Sequence, residues 1–166
     1  ENNIYLIQKE TNDYMDNRMK KLMTINIMVV GITGVGKSTF LNSYFNSELA
    51  ETSFGCSCTN EIKHYSNPSK PLSIYDTPGF ELDPKRQKQI KDSILKKIKE
   101  KNNAKDKKEH IHIILFCVNH GSGRLQTEEE NFMNQISKCC SEPIPIIIVI
   151  TKSFNDRESN EFTNHI

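Results

Sequence analysis

The junction at residues 25–45 constrains this chain more than any other feature. Ile25 to Val30 (INIMVV) is a mostly apolar run, which predicts a buried strand. It leads directly into Gly31-Ile32-Thr33-Gly34-Val35-Gly36-Lys37-Ser38, after which Phe40, Leu41, Tyr44 and Phe45 recur at helical spacing through Phe45. The glycine segment fits G-x-x-x-x-G-K-[ST], a pattern that chance produces in a chain of this length about once in several hundred. Glycines let the backbone curl so that successive N–H groups face inward around an anion. The following helix adds the positive end of its dipole. The cradle is expected to comprise Gly31, Thr33, Gly34, Val35, Gly36, Lys37, Ser38 and Thr39. In it Lys37 is a point charge for the outer phosphates of a nucleotide, and the Ser38 hydroxyl is a hard ligand for Mg²⁺.

The rest of the chain alternates buried strands with helices. Glu61 to Ser66 and Leu72 to Tyr75 read as strands joined by the turn Asn67-Pro68-Ser69-Lys70-Pro71, a hairpin. Pro84 opens a lysine-rich helix to about Lys101, with Ile90, Ile94, Leu95 and Ile98 as its buried stripe. Asn102 to Glu109 reads as a charged, mobile loop. Ile111 to Val118 and Ile144 to Ile150 are two further buried strands, and Thr127 is the expected cap of a helix between them. This alternation implies an α/β fold with a mostly parallel central sheet, helices on both faces and one antiparallel hairpin strand. Ligands of such sheets bind beyond the carboxyl ends of the strands. Ile4 to Met23 has a rough helical stripe, so residues 1–24 are expected as an N-terminal helix. Residues 25–166 are expected as one domain, incomplete at its C-terminal end.

A second motif also follows a strand. Asp76-Thr77-Pro78-Gly79 is a D-x-x-G in which Asp76 can hold Mg²⁺ through water and Gly79 can turn its N–H toward a terminal phosphate. The loop from Ser47 to Thr59 should supply a hydroxyl for the metal. Thr59 is best placed, and Thr52 is the alternative. Ser38, Thr59 and Asp76 are thus the expected metal ligands, while Lys37, Thr59 and Gly79 are expected to act on the terminal phosphate.

Bulk composition adds exclusions. With 166 residues, one domain can bury a real core. Lys plus Arg is 22 against 21 Asp plus Glu, so net charge argues for neither nucleic acid nor an anionic surface. The lysine-rich stretch from Lys85 to Lys108 lacks interleaved aromatics, so no specific nucleic-acid binding is expected, and a solvated helix face is the preferred reading. The 5 cysteines have no regular spacing, which favours a reducing, cytoplasmic setting over a disulfide framework. No apolar run approaches the roughly 20 residues needed to span a bilayer.

On GITGVGKSTFLN at Gly31 to Asn42 and YDTPGF at Tyr75 to Phe80, the chain resembles translation-factor-related GTPases. On GRLQTEEE at Gly123 to Glu130, it is similar more narrowly to the immunity-associated, avirulence-induced GTPases related to septins and chloroplast import receptors. The family box there is G-R-x-T-x-E-E, and Gln126 is an inserted or shifted residue against it. The resemblance implies a Ras-like domain, GTP or GDP with Mg²⁺, and switch loops near Thr59 and Gly79. It also implies homodimers across the nucleotide face and peripheral membrane association through segments outside the domain.

Two departures bear on activity. The base-reading [NT]-K-x-D is expected after the strand at Ile144 to Ile150, where Thr151-Lys152-Ser153-Phe154 stands. Phe154 lacks the carboxylate that would bond guanine, although Thr151 and Lys152 remain and Asp156 is a substitute if the loop bulges. Phe80 stands directly after the D-x-x-G, where many GTPases place a water-orienting glutamine, so intrinsic hydrolysis should be slow unless a partner assists. Arg124 is a candidate for such contacts, while His120 reads as an ordinary loop histidine. Three readings remain, in descending order: a slow GTPase switch or assembly module, a nucleotide-gated scaffold with negligible hydrolysis, and a base-tolerant NTPase or ATPase.

Overall fold

The computed structural model describes residues 24–45, 61–66, 71–80 and 83–153. The expected helix at 1–24, the loop carrying Thr52 and Thr59, the turn at 67–70, and Phe154 and Asp156 lie outside the described residues. Strands β1 (Ile25–Gly31), β2 (Lys63–Ser66), β3 (Leu72–Asp76), β4 (Ile113–Asn119) and β5 (Ile146–Thr151) form one sheet in the order β2-β3-β1-β4-β5. β1 pairs in parallel with β3 and β4, and β4 with β5, while β2 and β3 are antiparallel. This is the expected mostly parallel sheet with one antiparallel strand.

Register aligns the chemistry. Val29 lies opposite Asp76, Gly31 opposite Cys117, and Asn119 opposite Thr151. The parallel strands therefore all finish along the same edge, and the loops carrying the two phosphate motifs leave it side by side.

Helices α1 (Lys37–Phe45), α2 (Pro84–Asn102) and α3 (Thr127–Ser137) cover the two faces unequally. On one face Met28, Val30, Tyr75, Ile114, Phe116 and Val118 pack against Ile94 and Ile98 of α2 and Phe132 and Ile136 of α3. On the other, Val29, Ile74 and Cys117 meet Leu41 of α1 and Val35. Away from α1 that second face has less cover among the described residues, and Ile25 and Ile147 are 40% and 49% exposed. No helix among the described residues is long and apolar enough to cross a membrane.

Two expectations are corrected. Thr127 does not cap α3; it is the first helical residue, and Gln126 is the N-cap. Either register places a glutamate three residues on. Glu129 lies on the buried side with Phe132 and Ile136, and its carboxylate turns back to accept the Gln126 N–H at 2.9 Å, whereas Glu130 stays exposed. The segment from Asn102 to Glu109 is built rather than open. Asp106 caps a 3-10 turn at Lys107–Glu109, and the Asn102 side chain bridges to Ile111, accepting its N–H at 3.1 Å and donating to its carbonyl at 3.2 Å.

Candidate nucleotide-binding site

The glycine turn is shaped before any ligand is considered. Gly34 and Gly36 have φ of 73° and 103°, in the left-handed region closed to most side chains, and they curl the backbone between β1 and α1. No acidic residue stands in the first turn of α1, so nothing within that turn neutralises the positive helix end.

Lys37 opens α1 and folds back over the turn. Its Nζ donates to Gly31 O at 3.0 Å and to Ile32 O at 3.1 Å. The residue is 7% exposed, and burial pushes its ammonium below its ordinary pKa while the Asp76 carboxylate pulls the other way. A desolvated cation folded over a glycine turn at the start of a helix is suited to an anion. Cys117 lies beneath, and its buried thiol is pushed up to about 12 despite the nearby Lys37 ammonium.

Asp76, fully buried, closes β3 beside this cation. Thr77 follows, and its hydroxyl donates to Val29 O at 2.7 Å, pinning the start of the D-x-x-G to β1. At the other end of the motif Thr33 meets Gly79. The Thr33 hydroxyl donates to Gly79 O at 2.9 Å, and Thr33 N to Phe80 O at 3.3 Å. A side chain on Gly79 would place Cβ 2.5 Å from Thr33 Cα, so only glycine allows this approach. The Ser38 hydroxyl in the first turn of α1 and the Asp76 carboxylate at the end of β3 are hard oxygen donors, a donor set that fits Mg²⁺.

Phe80 does not face the cradle. It is 2% exposed and packs against Phe132 edge-on at 5.4 Å and Phe116 at 6.3 Å. Lys91 of α2, which sequence reasoning passed over as one lysine among many, sets its Nζ 5.0 Å from the Phe80 ring and 5.2 Å from the Phe132 ring. The same Nζ pairs with Glu128 at 3.2 Å, so the acidic box at the start of α3 is tied to the segment after the D-x-x-G.

The expected base-side residues divide. The Thr151 hydroxyl lies 2.6 Å from Val35 O and 3.0 Å from Val118 O, so it braces the glycine turn rather than pointing outward. Lys152 is exposed with φ of 57°, a left-handed conformation unusual for a side-chain-bearing residue. Arg124 is exposed in the turn after β4, on the same edge of the sheet. Thr33, Gly79, Lys37, Asp76 and Thr151 are thus brought to one edge. The hydroxyl roles of Thr33, Thr77 and Thr151 were hidden in the sequence, because the carbonyls they reach are remote along the chain.

The profile of a family described as 50S ribosome-binding GTPase matches residues 26–152. Neuronal-specific septin-3 of Danio rerio is 30% identical over 173 residues, covering 89% of this chain and 47% of that protein. Cell division control protein 10 of Candida albicans is 29% identical over 159 residues, covering 80% and 44%. The chain thus spans about half the length of these curated relatives. Among solved structures, Toc33 from Arabidopsis thaliana, a dimerization-deficient mutant, superposes with TM-score 0.63 at 18% identity, covering 89% of this chain and 61% of that one. Era in complex with MgGDPNP and 16S ribosomal RNA nucleotides gives 0.60 at 19%, covering 86% and 46%. At these identities the likeness is one of fold.

Proposed function

The chain belongs to the 50S ribosome-binding GTPase family, and from that membership we propose that it binds GTP and GDP with Mg²⁺, hydrolyses GTP slowly, and acts as a nucleotide-dependent switch or assembly module. The observation that carries this reading is the buried Lys37 ammonium folded over the glycine turn, with the buried Asp76 carboxylate close enough to shift it. In this reading the amides of Gly34 to Thr39 and the Lys37 ammonium take up the polyphosphate charge. Ser38, Asp76 and Thr59 would hold Mg²⁺, which would supply positive charge to offset that of the phosphates. The Gly79 N–H faces the terminal phosphate, and Lys152 lies along the base while Thr151 keeps the turn in shape.

Slow turnover follows from the burial of Phe80. The side chain after the D-x-x-G belongs to the core, so water must be oriented by a group from elsewhere. Arg124, exposed on the ligand edge, is suited to contact a partner or a second copy across the nucleotide face. The dimerization-deficient form of Toc33 supports pairing as part of the same reading. Kinship with the immunity-associated, avirulence-induced group rests on the Gly123 to Glu130 box, whose Glu128 and Glu129 each have a defined structural task here. Cytoplasmic localisation and peripheral membrane association through other segments belong to this proposal as well.

The burial of Phe80 also favours a second reading, a nucleotide-gated scaffold with negligible hydrolysis. Calorimetric titration with GTP, GDP and ATP in Mg²⁺, followed by a single-turnover assay, separates these readings. GTP and GDP are expected to bind, and ATP measurably more weakly where Asp156 supplies the carboxylate that Phe154 lacks. Equal binding of ATP contradicts guanine selectivity and favours the base-tolerant reading. Bound GTP that persists for hours at high protein concentration favours the scaffold.

A further inference from the structure

We propose that Thr33 is a positioning residue whose hydroxyl holds the Asp76–Phe80 segment closed on the glycine turn, so that the protein distinguishes a nucleoside triphosphate from the diphosphate. The inference rests on the nucleotide reading above and deepens it. The D-x-x-G segment is fastened along its whole length. Thr77 clips its start to Val29 O at 2.7 Å, and the buried Phe80 ring anchors its far end among Phe116 and Phe132. Between them Gly79 lies against Thr33, joined by the hydroxyl bond at 2.9 Å, by Thr33 N to Phe80 O at 3.3 Å, and by the bridge between Ile32 and Phe80.

The placement of Thr33 argues against a packing role. The residue is exposed, and its hydroxyl bond to Gly79 O is only part-buried. A hydroxyl there exchanges water for a carbonyl at little gain in fold stability. What the bond does change is local freedom. It fixes the Gly79–Phe80 peptide relative to the cradle, and with it the position of the preceding Gly79 N–H. A terminal phosphate that bonds the Gly79 N–H then meets a backbone that is already held and loses less to ordering. A diphosphate has no group at that position and gains nothing. Selectivity therefore comes from pre-organisation rather than from a contact between Thr33 and the phosphate.

The test compares wild type, Thr33→Val and Thr33→Ser by calorimetry with GDP and with the β,γ-imido analogue of GTP, in Mg²⁺. Valine keeps the branch and removes the hydroxyl; serine keeps the hydroxyl. Thr33→Val should lower the ratio of triphosphate-analogue affinity to GDP affinity about three- to tenfold, with Thr33→Ser close to wild type. Melting temperatures of the free variants should stay near wild type. A Thr33→Val protein that weakens both nucleotides equally, or neither, overturns the proposal, as does a Thr33→Ser protein that behaves like valine. Wild type binding neither nucleotide overturns the nucleotide reading itself, a result distinct from an unchanged triphosphate-to-diphosphate ratio.

Discussion

The two ends of β1 both carry dense polar networks, yet they are built on different principles. At the amino end an amide side chain, backbone groups and an imidazole satisfy one another. The Asn26 side chain donates to Lys108 O and His110 O, both at 2.8 Å. The Asn26 N–H donates to His112 Nδ1 at 2.9 Å, and His112 N returns a bond to Asn26 O at 2.8 Å. At the carboxyl end a buried ammonium and a buried carboxylate sit under an amide-lined turn whose helix has no acid in its first turn. The first network closes on itself and fastens the loop before β4 to the sheet. The second holds charge at a mouth that faces outward. Buried polarity alone therefore does not mark a site; desolvated charge beside an open donor array does.

Phe80 gives the sharpest test of that division, because it sits at the ligand end but belongs to the core. Phe80→Gln should destabilise the fold by about 3–5 kcal/mol and leave GTP turnover no faster, measured by urea unfolding and phosphate release. Faster turnover in a folded variant would mean that position 80 reaches the phosphate after all. Asn26→Ala should cost about 2–3 kcal/mol in the same unfolding assay while nucleotide affinity stays unchanged. Loss of affinity at constant stability would erase the distinction between the two ends.

Smaller effects concern pH. Burial raises the Glu129 carboxyl above its ordinary value, opposed by the bond from Gln126. A raised acid favours the fold below its ordinary pKa, and that contribution is lost as pH rises through the raised value. Glu129→Gln keeps an acceptor for the Gln126 N–H and removes the charge, so at pH 7–8 it should be more stable by about 1 kcal/mol or less. Its unfolding free energy should lack the downward slope of wild type above the ordinary carboxyl range. His64 stacks on Tyr75 at 4.5 Å, and its pKa is lowered by burial and then by Lys101 and Lys97. Stability from neutral His64 is present at pH values above its ordinary pKa and lost as pH falls through the lowered one. His64→Gln should flatten that acidic slope slightly in thermal melts.

Much of this arrangement was legible in residue order, and its limits are physical. β1, the glycine turn and α1 were readable because an apolar run, a fixed motif and helical spacing are local signals that agree with one another. Asp76 was readable because it ends a strand. The clips were not. Thr77 to Val29 and Thr151 to Val35 join residues far apart in the chain, and a threonine in a loop looks the same whether or not its hydroxyl is used. Lys91 was lost in a lysine-rich helix whose periodicity alone does not show that its ammonium lies over two rings. The cap of α3 was misplaced by one residue because both registers offer a glutamate, and only the burial of Phe132 and Ile136 separates them.

The central claim is that Lys37 is kept buried and charged to meet polyphosphate. The direct measurement is titration of Lys37→Ala with the β,γ-imido analogue of GTP in Mg²⁺, alongside the thermal unfolding of the free protein. The account predicts an affinity loss of roughly a hundredfold or more in a variant that is still folded at the titration temperature, with a lowered melting temperature because the buried Asp76 carboxylate loses its neighbouring ammonium. Wild-type affinity in that variant, or a loss explained by unfolding, would contradict it.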